Sequence, residues 1–128
     1  MTEELRPYRL IIAGGRDFTD LNLLSEIMYS LGDGVLADIE IDIVSGMARG
    51  ADALGYMFAH QHGIKVHEFH AQWNKYGKRA GYVRNEEMGR FADGLVAFWD
   101  GESRGTRHMI EFMKRLGKTV FVVTYQGV

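Results

Sequence analysis

Three stretches of this sequence combine glycine with arginine in a way suited to holding an anion: Gly14-Gly15-Arg16-Asp17, then Ser45-Gly46-Met47-Ala48-Arg49-Gly50-Ala51-Asp52, then Gly101-Glu102-Ser103-Arg104-Gly105-Thr106-Arg107. Glycine lets the main chain approach a ligand closely and adopt positive φ. A guanidinium offers a planar, permanently charged fork of donors that matches phosphate and carboxylate. Each stretch alone also reads as an ordinary turn. What would turn them into a site is convergence on one rim of the molecule.

Other residues carry chemistry of a different kind. Asp17 is placed either to accept a ribose hydroxyl or to pair with Arg16, and Asp52 stands at a helix start, where the dipole alone favours a carboxylate. Trp73 and Tyr76 offer flat surfaces on which a base could stack, and serve equally as packing anchors or oligomer contacts. His108 is a candidate general acid or base. His60, His62, His67 and His70 crowd one stretch, but their spacing points them apart on a helix end and across a strand, so no metal site is expected.

The elements that must position these residues alternate along the chain. Apolar runs at 8–13, 39–44, 64–69, 94–99 and 118–124 read as strands. Segments at 20–31, 50–61, 78–91 and 105–116 read as helices, with Asp20 as an N-cap and Met109 and Met113 as core. Strict alternation with short connections predicts a single α/β domain spanning 1–128, a small Rossmann-like, doubly wound parallel sheet with helices on both faces. The expected order of its five strands is 3-2-1-4-5. Ligands of such sheets bind beyond the carboxyl ends of the strands, where the strand order reverses. In that order all three glycine clusters fall on one rim.

Composition narrows the function. Cysteine is absent, which removes disulfides, thiolate metal sites and cysteine nucleophiles and suits a reducing cytoplasm. The net charge of −2 gives no bulk electrostatic case for nucleic acid. The first residues lack a signal-peptide pattern and no apolar run reaches about 18 residues, so neither secretion nor a membrane span is expected. Neither GxxxxGK[ST] nor GxGxxG occurs after a strand, which excludes a Walker ATPase and an ordinary dinucleotide-binding dehydrogenase.

Taken together, Gly14 to Phe18, Ser45 to Asp52, Arg84-Asn85-Glu86-Glu87-Met88 and Gly101 to Thr106 resemble the SLOG superfamily, and within it the YspA/cpYpsA-related proteins. The resemblance implies a nucleotide-like ligand, such as an ADP-ribose species, held by Gly14, Gly15, Arg16, Asp17, Ser45, Gly46, Arg49, Gly50, Asp52, Arg84, Gly101, Gly105 and Thr106. It implies no cofactor, and a homo-oligomer. SLOG relatives include phosphoribohydrolases of the lonely-guy type, with an arginine matched here by Arg84 and a glutamate three residues after the Gly-Thr pair. That position is Met109 here; Glu111 is a nearby carboxylate, displaced by about 200° around a helix. Two functions therefore stand open: a sensor or sequestering module for a nucleotide-derived phosphate ligand, and an N-glycosidic hydrolase of nucleoside 5′-monophosphates using Arg84 and Glu111. A third, nucleic-acid handling of the DNA-processing protein A kind, is opposed by the acidic balance.

Overall fold

The computed structural model describes residues 6–127. Five strands, β1 (Tyr8–Gly14), β2 (Ile41–Ser45), β3 (Val66–Glu68), β4 (Gly94–Trp99) and β5 (Thr119–Thr124), form one parallel sheet in the order β3-β2-β1-β4-β5. The helices are α1 (Leu21–Asp33), α2 (Ala51–Gln61), the short α3 (Trp73–Tyr76), α4 (Ala80–Phe91) and α5 (Arg104–Arg115). The expected order and the Rossmann-like architecture are both found.

Side-chain alternation along the inner strands divides the core. Leu10, Ile12, Ile43, Val96 and Phe98 point to the face covered by α1 and α2. Ile11, Ala13, Val44, Leu95 and Ala97 point to the face covered by α4 and α5. Both faces of β1 and β4 are thus out of water, which explains why these runs are almost wholly apolar. Each fully buried Leu, Ile or Phe contributes about 1.5–3 kcal/mol.

At the rim where the strands begin, charge ties the sheet together. Asp93 takes two hydrogen bonds from Arg6, at 2.7 and 2.9 Å, and one from the Arg9 N–H. Lys118 Nζ donates to the carbonyls of Gly89, Arg90 and Ala92, closing the end of α4.

Several boundaries differ from the sequence reading. Helix α1 runs through Gly32 and Asp33, while Asp20 caps its start by accepting from the Leu23 N–H at 2.9 Å. Strand β2 begins at Ile41 rather than 39, because Asp38 takes a left-handed conformation with φ 61° just before it. Strand β3 keeps only its central residues. The largest departure is α3. Gln72 accepts hydrogen bonds from the N–H groups of Lys75 and Tyr76, and Gly77, at φ 59°, ends the turn. A single helical turn has no periodicity to read, so the apolar pattern does not mark it. A 3₁₀ turn at Gly77–Arg79 then leads into α4.

The loops after β1 and β2 are locked to each other by backbone. The Gly15 carbonyl accepts from the N–H of Ala51 at 3.1 Å, and Gly50 reaches this contact with φ 81°. A Cβ on Gly50 would collide with that carbonyl and with the Arg16 backbone. Gly50→Ala is therefore expected to cost about 3 kcal/mol in urea unfolding. Gly105→Ala, on the open first turn of α5 with nothing within 4 Å of the added carbon, should change stability by less than about 0.5 kcal/mol.

Candidate functional site

The reversal of strand order between β1 and β4 sends their outgoing loops to opposite faces and leaves a crevice between them. A cavity of about 610 Å³ occupies it. Its wall comes from the loop after β1 (Gly14 to Asp17), the loop after β2 and the start of α2 (Ala48, Arg49, Asp52), α4 (Arg84, Asn85, Met88), and the loop after β4 with the start of α5 (Asp100, Ser103, Gly105, Thr106, Met109).

Arg84 is the long side chain that crosses this space. Its Nη1 donates to the Gly46 carbonyl at 2.7 Å and its Nε to the Asn85 side-chain oxygen at 3.2 Å. Gly46 permits this approach: a Cβ there would lie 2.9 Å from Arg84 Nη1 and 2.8 Å from an Asp52 oxygen. Asn85 turns its amide nitrogen to the Gly105 carbonyl at 3.1 Å and to His108 Nδ1 at 3.3 Å. One buried asparagine thus fixes both Arg84 and the start of α5.

Asp52 is the buried acid of the site, only 4% exposed. It accepts from the Ala48 N–H at 3.3 Å. Burial pushes its carboxyl from the ordinary 3.8 up to about 6, against the opposing pull of Arg84, of the N–H groups of Ala48 and Gly14, and of Arg16. Burial also lowers Arg84; Asp52 partly offsets this, and the like charge of Arg16 adds to it. At the other end of the cavity Tyr125 donates to Asp17 at 2.5 Å, and Asp100 accepts from the N–H groups of Glu102 and Ser103 at 2.9 and 2.8 Å. Burial first, then the bond to Asp17, raises the Tyr125 hydroxyl. The Tyr125 ring packs edge-on against Phe18, which stacks on Phe98 at 4.6 Å.

Of the residues expected at the site, Gly14, Gly15, Arg16, Asp17, Arg49, Asp52, Arg84, Gly105 and Thr106 are brought together around this cavity. Ser45 is fully buried behind it, where its hydroxyl accepts from the Met47 N–H at 3.1 Å and shapes the loop. Gly50 is the backbone lock already described. Gly46 lines a second cavity that shares Arg16, Ala48, Arg49 and Arg84 with the first. Two expectations need correction. Gly101 makes a turn at φ 86° and does not line either cavity. Glu111 is exposed and points away, since two residues beyond the cavity-lining Met109 is about half a helical turn. Of the carboxylates that do line the cavity, Asp17, Asp52 and Asp100, it is the buried Asp52 whose charge acts on Arg84.

Three further candidates find structural partners. His108 packs on Tyr82, and its ring nitrogens are taken up by Asn85 and Glu86. His67 pairs with Asp42 at 2.8 Å, and His70 with Glu68 at 3.0 Å. The sequence reading places Asn85 in the stretch that carries the family resemblance without giving it a role, and gives none to Asp100 or Tyr125. Asn85 follows Arg84 directly and Asp100 closes a strand, which are usable signals; Tyr125 lies past the last strand, where no pattern marks it.

The fold and the make-up of this rim define a small Rossmann-like domain of the SLOG kind. The chain belongs to the YspA, cpYpsA-related SLOG family, whose model matches residues 8–76 and so covers the first two glycine loops. It is 36% identical over 116 residues to the Gene 61 protein of Mycobacterium phage D29, covering 85% of this chain and 90% of that protein. Its structure resembles DNA processing protein A from Streptococcus pneumoniae, with a TM-score of 0.71 and 20% identity, over 91% of this chain and 50% of that one. The chain spans half the length of that structure, and a likeness at this identity concerns the fold alone. Among the described residues no helix is long and apolar enough to cross a membrane.

The raised Asp52 carboxyl makes stability depend on pH in a definite direction. The folded state holds this proton more tightly than the unfolded chain, so stability from this group is greatest below pH 4 and falls as the pH rises through about 6. The loss at pH 8 is on the order of 3 kcal/mol. Asp52→Asn should therefore raise stability at pH 8, and that gain should vanish near pH 4. Urea unfolding at a series of pH values measures both.

Proposed function

We propose that this cavity binds a nucleotide or nucleotide-derived phosphate ligand, and that the protein acts as a sensor or sequestering module. The observation that carries this reading is the packing of like charge. Arg16 stands close enough to Arg84 to disfavour its charge, with Arg49 on the same wall. Among the described residues none of these three arginines is in an ion pair. The counter-charge that acts on Arg84 is Asp52, whose own ionisation is disfavoured by burial. A bound phosphate relieves this imbalance, and in a partly desolvated site charge-assisted hydrogen bonds to guanidinium are the strong kind. Asp17 and Asp100 line the same cavity, and their negative charge disfavours a phosphate placed beside them.

A second reading, N-glycosidic hydrolysis, rests on Asp52: a carboxyl near pH 6 beside Arg84 has the character of a group able to serve a developing ribosyl cation. The chemistry would then use Asp52 in the place where sequence reasoning put Glu111. DNA handling, the third reading raised by the family resemblance, is disfavoured. The net charge is −2, and the arginines line a cavity rather than a stripe. The absence of cysteine suits action in a reducing cytoplasm, and the homo-oligomer implied by the family resemblance is part of the same proposal.

Calorimetry with purine and pyrimidine nucleoside 5′-monophosphates, and with the matching nucleosides, tests the reading. Nucleotides should bind and nucleosides should bind far more weakly. Arg84→Ala and Arg16→Ala should each weaken nucleotide binding about tenfold to a hundredfold. Equal binding of nucleoside and nucleotide, or no binding of either, overturns the proposal. Release of free base that disappears in Asp52→Asn would establish the hydrolase in place of the module.

A further inference from the structure

The second cavity, also about 610 Å³, lies on the other side of the arginine wall. It is floored by a different kind of surface. Beyond the arginines it is lined by Met47, His70, Ala71 and Trp73. Trp73, in α3, is 52% exposed, its indole N–H has no hydrogen-bond partner among the described residues, and it joins none of their ring pairs. The other tryptophan is handled conventionally: Trp99 Nε1 donates to the Ser103 carbonyl at 3.1 Å. An indole left half in water at the mouth of a cavity leaves both its apolar face and its N–H unused.

Two backbone features hold this surface against the arginines. Gly81 on α4 is the spacer: the position of its missing Cβ is 3.8 Å from both Arg84 Nη2 and the Trp73 ring atom Cη2, so the guanidinium and the indole edge lie over the same small residue. Met47 is held at φ 60°, a left-handed conformation that costs a non-glycine residue of order 1 kcal/mol. The Ser45 hydroxyl fixes it there by accepting from its N–H. This strain turns an apolar side chain into the cavity's wall at the place where glycine would be the relaxed choice.

We infer that the second cavity is a subsite for a flat aromatic ring, with Trp73 as the stacking surface and the shared arginine wall holding the phosphate of the same ligand. The inference rests on the anion reading above and adds to it the ring-bearing class of ligand and the residue that selects it. Stacking on an aromatic side chain tolerates any base, because every base presents a π face. Trp73 therefore raises affinity for ring-bearing phosphates in general, with discrimination among bases left to the groups at the ring's edge.

The test compares ribose 5-phosphate with a panel of purine and pyrimidine nucleoside 5′-monophosphates by calorimetry on the full chain, for the unsubstituted protein, Trp73→Ala and Trp73→Phe. The nucleotides should bind at least about tenfold more tightly than ribose 5-phosphate. Trp73→Ala should abolish that margin without changing the affinity for ribose 5-phosphate, and Trp73→Phe should retain part of it. A nucleotide margin that survives Trp73→Ala overturns the ring subsite and leaves the anion site standing. Equal weakening of ribose 5-phosphate and nucleotides by Trp73→Ala also overturns it, since the indole would then only prop up Arg84. Failure of every phosphate to bind removes both readings together.

Discussion

Three hydrogen bonds meet at Gly15. Its N–H donates to the Phe98 carbonyl at the end of β4, and its carbonyl accepts from Phe18 in its own loop and from Ala51 at the start of α2. One residue thus joins the ends of β1 and β4 to the entry of the helix after β2. These are the three places where sequence-distant loops must agree if the arginines are to face one space. Backbone hydrogen bonds are modest individually, about 1 kcal/mol net each. Their effect here is geometric: the cavity wall keeps its shape as a unit with the sheet.

Electrostatics works against that frame instead of with it. Burying Asp52 and Arg84 together removes both from water, and the pair recovers only part of the loss, since the carboxyl is displaced upward and the guanidinium downward. Core packing on both faces of the sheet supplies the surplus that keeps such a pair folded. The contact of Asp93 with Arg6 at the opposite rim is different in kind. Asp93 is held below its ordinary value by Arg6, so its ionisation favours the fold. One end of the sheet thus holds a carboxylate whose charge favours the fold, and the other buries a carboxyl and a guanidinium whose charges burial disfavours. Perturbation of this sort marks functional sites.

Much of this arrangement was legible in the residues themselves. The unbroken apolar runs of β1 and β4 declare burial on two faces, and strand order follows from alternation and the βαβ rules. Nine of the residues that the family resemblance implied, from three glycine clusters and from Arg84, line one cavity. What was not legible has a common cause: it depends on the direction of side chains in three dimensions. Glu111 is near Met109 in sequence and faces away in space. Asn85 gains its role only because α5 starts beside it. The second cavity needs α3, one turn of helix without periodicity, and Tyr125 reaches from the end of β5 past β4 to Asp17.

The division of labour between inner and outer wall has an evolutionary side. Gly14, Gly46 and Gly50 are pinned by neighbours that leave no room for a side chain, so changes there are paid in folding. Trp73 and Arg49 are exposed, so sequence change at these two positions meets less resistance from the fold than change at those glycines.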